Sequence, residues 1–360
     1  MRIGILGGGQ LAMMMIQESS KLDIEFLVVD PTDNPPASKY ATHIQSEYND
    51  KKTLDKLADC CDVITIDFEN VQADALEYLE SKKKVFPDSA SLKICQDRLE
   101  EKKLFLNNDV MTTEFKEINS IHDLRDAVVF LGTDTILKSR KFGYDGKNQT
   151  HMKGQNIDDV WKNNKGKPCI LEKRIKYKTE LSIIAVRTQK KSIFFYPLIE
   201  NFHDGGILNF SVAPYLNDKL QKKAESISKK IMDSLDYTGV LVIEFFLDKN
   251  NNLIANEMAP RVHNSGHWTI EGCDLSQFQA HIGAIIGNED LKPKVLKKCA
   301  MLNLLSELPN LDKLNQTKGI SIYNYGKHER VNRKLGHITI VDSDANSLKK
   351  KLDYLRKIIF

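Results

Sequence analysis

Two carboxylates stand in runs that are otherwise apolar. Glu244 lies within Val242-Ile243-Glu244-Phe245-Phe246, and Glu257 follows thirteen residues later within Ile254-Ala255-Asn256-Glu257-Met258. A charge in an apolar strand is costly unless something partners it, and carboxylate oxygens together with phosphates are what a magnesium ion uses. The intervening Asp248-Lys249-Asn250-Asn251-Asn252 has turn composition, so the two runs read as a hairpin that brings both acids to one face. Edge carboxylates paired with lysines are the plainer alternative. Directly afterwards comes Ala259-Pro260-Arg261-Val262-His263-Asn264-Ser265-Gly266-His267-Trp268. Arg261 and His263 suit an anion, whereas His267 reads equally well as a satisfied structural histidine. No nucleophile triad, H-E-x-x-H or Cys/His ligand spacing is legible.

Lysines and glycines add a second theme. Lys138 and Lys147 flank Gly143-Tyr144-Asp145-Gly146, a loop able to cover nucleotide phosphates although the P-loop pattern is absent; a surface turn is the alternative. Lys327, Arg330, Arg333 and Lys334 concentrate positive charge ahead of Gly336-His337, either a solvated face or a clamp for a phosphorylated substrate. Near the start, Gly7-x-Gly9-x-x-Ala12 with Asp30 downstream matches the dinucleotide-binding fingerprint. Any tight strand-to-helix turn also selects small residues here, so the loop alone does not decide between a dinucleotide, another phosphate and a structural turn.

These groups need a scaffold. Residues 2–6, 24–30 and 63–66 read as buried strands separated by helices near 10–20 and 51–59, which implies a parallel sheet. Residues 82–86 add a last strand, and this unit ends near Pro87. A charged, periodic helix at 97–107 leads into strands at 135–138 and 169–172. From about 177 the pattern turns antiparallel (181–186, 192–196), with a long amphipathic helix marked by Leu220, Ala224, Ile227, Ile231 and Leu235. The hairpin 240–258, a helix at 274–286 and a strand-rich stretch over about 300–341 complete the reading.

Composition bounds the partners. The 360 residues carry 52 Lys and Arg against 49 Asp and Glu, a net charge of +3, so nucleic acid and anionic membranes are not favoured. No apolar run reaches the roughly 20 residues of a membrane helix, and the N-terminus does not read as a signal peptide. Six scattered cysteines without C-x-x-C fit reduced thiols and a cytoplasmic protein.

Taken together, "FGYDGKNQ" (142–149), "NEMAPRVHNSGHWTIEGC" (256–273), "YGKHERVNRKLGHI" (325–338) and the opening "GILGGGQLA" (4–12) resemble the ATP-grasp 5-(carboxyamino)imidazole ribonucleotide synthase family of purine biosynthesis, in order and over essentially the whole chain. The resemblance implies an α/β ATP-grasp fold: a Rossmann-like pre-ATP-grasp domain at 1–96, a central lid at 97–175 and a larger C-terminal domain at 176–360. It implies a ligase that uses ATP, bicarbonate and 5-aminoimidazole ribonucleotide, with Mg²⁺ (or Mn²⁺) as cofactor, and it suggests a homodimer. Carried over by motif, Arg98, Lys138 and the loop Gly143, Tyr144, Asp145, Gly146, Lys147, Asn148 and Gln149 would contact ATP phosphates. Glu172, Lys173, Arg174 and Ile175 would form the adenine hinge, Glu180 would hold the ribose, and His203 and Asn256 would complete the nucleotide site. Glu244 and Glu257 would bind the metal. Tyr144, Asp145, Arg261, His263 and Asn264 match catalytic positions, while Glu69, Arg261, His263, Lys327 and Arg333 match substrate positions. Asn148 and Asn332 replace family glycines, and asparagine tolerates positive φ better than most residues. Other ATP-grasp ligases (a formate-using ribonucleotide transformylase, a biotin carboxylase), an NAD-dependent oxidoreductase and an idle nucleotide-binding regulator are the competing classes.

Overall fold

A computed structural model describes residues 1–141, 143, 148–311, 314 and 317–359. Its first sheet is parallel and has the order β3-β2-β1-β4-β5, formed by β1 (Arg2–Leu6), β2 (Glu25–Asp30), β3 (Thr42–Gln45), β4 (Val63–Ile66) and β5 (Lys84–Phe86). The apolar runs expected at 2–6, 24–30 and 63–66 form its centre, because only residues apolar on both faces can sit between two helical layers. Helices α1 (Gln10–Glu18), α2 (Lys51–Cys60), α3 (Ala73–Glu80) and α4 (Ser89–Cys95) supply those layers; α3, α4 and the short edge strand β3 carry too little periodicity to be read beforehand.

Next come α5 (Arg98–Asn107) and a four-stranded antiparallel sheet, order β6-β9-β7-β8, built from β6 (Phe115–Ile118), β7 (Thr135–Ser139), β8 (Gln149–His151) and β9 (Cys169–Lys173), with α6 (Ile121–Leu131) and α7 (Ile157–Asn163) packed on it.

The largest sheet comprises β10 (Tyr177–Arg187), β11 (Ile193–Phe195), β12 (Ile199–Asp204), β13 (Ile207–Ala213), β14 (Gly239–Asp248), β15 (Leu253–Ala259), β16 (Lys298–Ser306), β17 (Ile320–Asn324) and β18 (Arg330–Asp342). Its path runs β15-β14-β10-β12-β13-β16-β18-β17, with β11 attached to β10. Strand alternation sorts its faces. Leu241, Ile243 and Phe245 pack against Leu220, Ala224, Ile227 and Ile231 of α8 (Asp218–Ser234), the expected amphipathic helix. Val240 and Val242 pack instead with Phe278 and Ile282 of α10 (Gln277–Ile285); α9 (Thr269–Gly272) precedes it. A closing helix at Ala345–Ile359 buries Leu348, Leu352 and Leu355 against β16 and β18, an element beyond the strands expected for this stretch. Among the described residues no helix is long and apolar enough to cross a membrane.

Candidate active site

The face that carries Val240 and Val242 also carries Glu244, and the ladder sets its neighbours. Glu244 lies opposite Glu257 across the β14–β15 hairpin and opposite Ser182 on β10, while Glu180 of β10 lies opposite Asn201 of β12. Residues opposite one another in a ladder share a face. The expected hairpin therefore places both acids together, with a bulge just after Glu244.

The two acids have different environments. α5, capped by Asp97, delivers Arg98 to Glu257 (Nη1 to Oε2, 2.8 Å). Burial alone would raise the Glu257 carboxyl, but the charge and hydrogen bond of Arg98, with Lys138 and Lys102 behind it, hold it down to about 2. Glu244 faces His263 Nε2 at 3.2 Å. Burial, reinforced by Glu257 and Glu180 and only partly offset by His203, pushes Glu244 up to about 7. Glu180, His203 and Glu244 offer three ligand atoms within 4.8 Å of one another. His203 Nδ1 is 2.6 Å from Glu180 Oε2, outside hydrogen-bond alignment. Although burial opposes its charge, Glu180, Glu244 and Glu257 raise the His203 pKa. Tyr177 donates to the other Glu180 oxygen at 2.6 Å.

The remaining expected nucleotide residues fall into three groups. Lys138 reaches Glu172 at 2.7 Å, and Lys102 stands 3.8 Å from the same carboxylate, so a buried acid lies between two lysines and is held below its ordinary pKa despite burial. Arg98 also donates to the Gly143 carbonyl at 3.4 Å. Asn148 has φ 57° and Asn332 φ 63°: both replacements of glycine sit in the left-handed region. Gln149 pairs with Lys138 in the β7–β8 ladder. At the expected adenine hinge, the side chains of Lys173 and Arg174 turn to Glu114 (2.5 Å) and Asp134 (3.7 Å) and are half-exposed, and their backbone N–H groups donate to the carbonyls of the same two residues (2.9 and 3.0 Å). Tyr144, Asp145, Gly146 and Lys147 lie outside the described residues.

On the other side of the carboxylates, Arg261 forms an ion pair with Glu69 at 2.7 Å, joining the loop after β4 to the loop after β15. Lys327 donates to the Gln10 side chain. Burial lowers its pKa to about 8, and Arg333, Lys334 and Arg330 contribute, so the expected basic cluster surrounds Lys327. Arg333 itself donates to the His328 carbonyl at 3.2 Å. Asn264, expected at a catalytic position, is engaged with the sheet. Its amide exchanges two hydrogen bonds with Asn303 of β16 (2.9 and 2.6 Å), so it anchors the loop to the sheet. His267 is fully buried, but neither ring nitrogen has a protein hydrogen-bond partner among the described residues; the expectation of a satisfied core histidine is half right.

Several groups were missing from the expected site. Lys102 donates to the Asn256 carbonyl at 2.7 Å, and Glu101 accepts from Met258 N–H at 2.6 Å. Both dock α5 onto β15, and both look like ordinary charges of a polar helix in sequence. Lys334 is felt electrostatically at Glu244, His263 and His267. Asp67 is a lone acid at the end of an apolar run. It accepts from Ala12 N–H at 3.3 Å, and a Cβ on Gly7 (φ +108°) would lie 1.7 Å from its Oδ1.

That last contact separates two of the competing classes. The helix N-terminus that would receive a dinucleotide phosphate is faced by Asp67. The acid expected at a ribose, Asp30, accepts from Gly8 N–H (2.7 Å) and from Tyr48 (3.0 Å). The glycine loop thus closes on the protein's own carboxylates.

Comparison with known proteins agrees with this geometry. Residues 1–96 match the ribonucleotide synthetase preATP-grasp domain, 103–278 the ATP-grasp domain and 299–351 the phosphoribosylaminoimidazole carboxylase C-terminal domain. The chain is 36% identical to N5-carboxyaminoimidazole ribonucleotide synthase of Pseudomonas aeruginosa, over 100% of this chain and 99% of the relative. It superposes on the crystal structure of N5-carboxyaminoimidazole ribonucleotide synthetase from Thermus thermophilus with a TM-score of 0.93, at 36% identity over 99% and 98% of the two chains. It also matches N5-carboxyaminoimidazole synthase of Aspergillus clavatus in complex with ADP and 5-aminoimidazole ribonucleotide (TM-score 0.89, 28% identity, 99% and 98% covered). With the hairpin carboxylates, the basic cluster and these full-length likenesses in agreement, the chain belongs to the N5-carboxyaminoimidazole ribonucleotide synthase family of ATP-grasp ligases.

Proposed function

We propose that the chain carboxylates 5-aminoimidazole ribonucleotide with bicarbonate at the expense of ATP, giving 5-(carboxyamino)imidazole ribonucleotide, ADP and phosphate. The observation that carries this reading is the cross-strand pair Glu244–Glu257 beside the Arg261–Glu69 ion pair: a cation site next to an anion site.

Bicarbonate is a weak electrophile. Its oxygen attacks the γ-phosphorus, the bond to the ADP oxygen breaks, and carboxyphosphate forms. The substrate amine then attacks the carboxyl carbon, the carbon–oxygen bond to phosphate breaks, and the amine loses a proton. Positioning and charge neutralisation supply most of such a rate enhancement. Lys138 and Arg98 would offset triphosphate charge. Arg261, a planar fork, suits bicarbonate, and Lys327 with Arg333 suits the ribonucleotide phosphate. Glu244 and Glu257 fit a magnesium ion. Burial, with Glu257 and Glu180 nearby, pushes the Glu244 carboxyl up, and beside them Asn256 Oδ1 is buried without a partner among the described residues. When bound, the ion would neutralise phosphate charge there.

Phosphate release from ATP and Mg²⁺ is expected to require both bicarbonate and the ribonucleotide, and ¹³C-bicarbonate is expected to yield an acid-labile carbamate signal. ADP formation indifferent to both substrates, or driven by formate or biotin, would overturn the reading.

A further inference from the structure

Behind His263 runs a buried line of polar groups drawn from three separate elements. Asn201 of β12 donates through Nδ2 to Ser182 Oγ of β10 at 2.9 Å. Ser182 Oγ lies 3.0 Å from Ser265 Oγ, in the turn Asn264–Gly266, and Ser265 Oγ lies 2.9 Å from His263 Nδ1. The far side of the ring, Nε2, faces Glu244 Oε1 at 3.2 Å. Ser182 and Ser265 are completely buried, and Asn201 nearly so. Burial of Ser265 removes it as a nucleophile, so the resemblance to an acid–His–Ser triad is one of connectivity only.

The polarity of the line follows from its donors. A hydroxyl has one hydrogen. Ser182, accepting from the Asn201 amide, has its hydrogen free for Ser265, which in turn donates to His263 Nδ1. Asn201's amide could be turned over without changing its shape, but a second donor cannot: the backbone N–H of Ser265 also points at Nδ1, at 3.4 Å. Nδ1 is therefore an acceptor from two directions. With Nδ1 accepting and so unprotonated, the hydrogen of the ring is on Nε2, on the side of Glu244.

We propose that the Asn201–Ser182–Ser265 line holds His263 as its Nε2–H tautomer, with that N–H facing the Glu244 carboxylate, and not as the base that takes the amine proton. Asn201, Ser182 and Ser265 are then positioning residues that act through His263 on Glu244. The consequence for metal affinity rests on the reading of Glu244 as a ligand given above; the tautomer does not.

The test separates the two. In ¹⁵N-histidine-labelled, nucleotide-free protein, long-range ¹H–¹⁵N correlation, with His263 assigned by its absence in His263→Gln, is expected to show Nε2 protonated and Nδ1 bare between pH 6 and 8. A protonated Nδ1 overturns the proposal. In Ser265→Ala only the long backbone contact remains, so the Nδ1–H tautomer becomes populated, and Mn²⁺, followed by calorimetry, binds about 10-fold more weakly, the usual loss when an outer-shell partner of a metal ligand is removed. Ser182→Ala frees the Ser265 hydroxyl to rotate and gives a smaller change in the same direction, which keeps the test available if Ser265→Ala does not fold. Unchanged tautomer and unchanged Mn²⁺ affinity in the folded variants would also overturn the proposal. A wild-type protein with the Nε2–H tautomer but no Mn²⁺ binding would sink the metal reading and leave the tautomer standing.

Discussion

Glu244 and Glu257 face each other across one ladder, yet burial pushes the Glu244 carboxyl up to about 7 while Arg98 holds that of Glu257 down to about 2. The difference lies in their cations: Glu257 has Arg98 at 2.8 Å, and Glu244 has a neutral imidazole. Their amide variants should therefore move stability in opposite directions in the ligand-free protein. At pH 8, Glu244→Gln removes a buried charge held against its preference and is expected to stabilise by about 2 kcal/mol. Glu257→Gln leaves Arg98 without its partner and is expected to destabilise by about 1 kcal/mol, a figure reduced because the Glu257 side chain is half-exposed. Urea unfolding of the two variants checks this, and equal shifts of one sign would contradict it. Both variants should lose about 100-fold or more in turnover, since each removes charge stabilisation from the triphosphate. At this scale the acids were legible in sequence because isolated charges among apolar residues ask for a partner, Arg261 because it stands in a dense polar segment, and Lys327 because it opens a basic run. Lys102 and Glu101 were not legible. They sit in a helix whose many charges look solvated, and only the docking of α5 on β15 shows which ones turn inward.

Between elements, one histidine joins two sheets. His281 of α10 accepts from Val240 N–H of β14 through Nδ1 (3.1 Å), and its Nε2 meets Thr65 Oγ1 of β4 at 2.8 Å. With Nδ1 accepting, Nε2 carries the hydrogen and donates to Thr65. The α1–α10 contact and the mixed cluster of Ile3, Ile5, Met15, Phe278 and Ile282 surround this join, so the N-terminal sheet is packed against the helix that backs Glu244. Thr65→Val leaves the Nε2–H buried without a partner and is expected to cost about 1–3 kcal/mol. His281→Phe added to Thr65→Val should cost less than the two single changes summed, because the Thr65–His281 pair then goes as a whole, while the Val240 N–H loses its acceptor equally in the single and the double variant. A double-mutant cycle by chemical denaturation measures the coupling, and strict additivity would refute it. Strands β1, β2, β4, β5, β7, β9, β10, β11, β14 and β15 and helices α1, α2, α5, α8 and α10 were readable from apolar runs and periodic spacing, whereas β3, β6, β8, β12 and β13 were not. The join was not, because residues 65 and 281 carry no common pattern along the chain.

For the whole molecule, the buried titratable groups set a pH optimum. His281 and His337 are lowered by burial to about 4 and about 3, and His263 and His267 lie well below their ordinary value, again chiefly through burial. Between about pH 4 and 6.5 the unfolded chain binds protons at these histidines that the native chain refuses, so their contribution to stability rises with pH. Asp67, Glu244 and Glu101 are raised by burial to about 6, 7 and 8. Above about pH 4.5 the native chain holds protons there that the unfolded chain has lost, so their contribution falls with pH. The two sets oppose each other up to about 6.5; beyond it the acids dominate, opposed near pH 8 by Lys327, whose pKa burial lowers to about 8. Stability of the ligand-free protein is therefore expected to peak near pH 6.5 and to decline toward pH 8. Mg²⁺ with ATP should remove the Glu244 share of that decline. Unfolding free energies at pH 5, 6.5 and 8 test this, and a steady rise through pH 8 would exclude it.

From its residues alone, the chain determined that a hairpin would carry two acids, that an arginine–histidine segment would follow and that a basic run would lie near the end, because strand alternation and the cost of isolated charge are local facts. Whether the glycine loop would accept a phosphate was not local. Asp67 arrives from β4 and Asp30 folds back from β2 to occupy it, and only the packed sheet brings those carboxylates to the helix end. The same holds for the proton on His263: its place is set by a serine and an asparagine from strands far away in sequence, a direction that hydrogen-bond partners fix and spacing cannot.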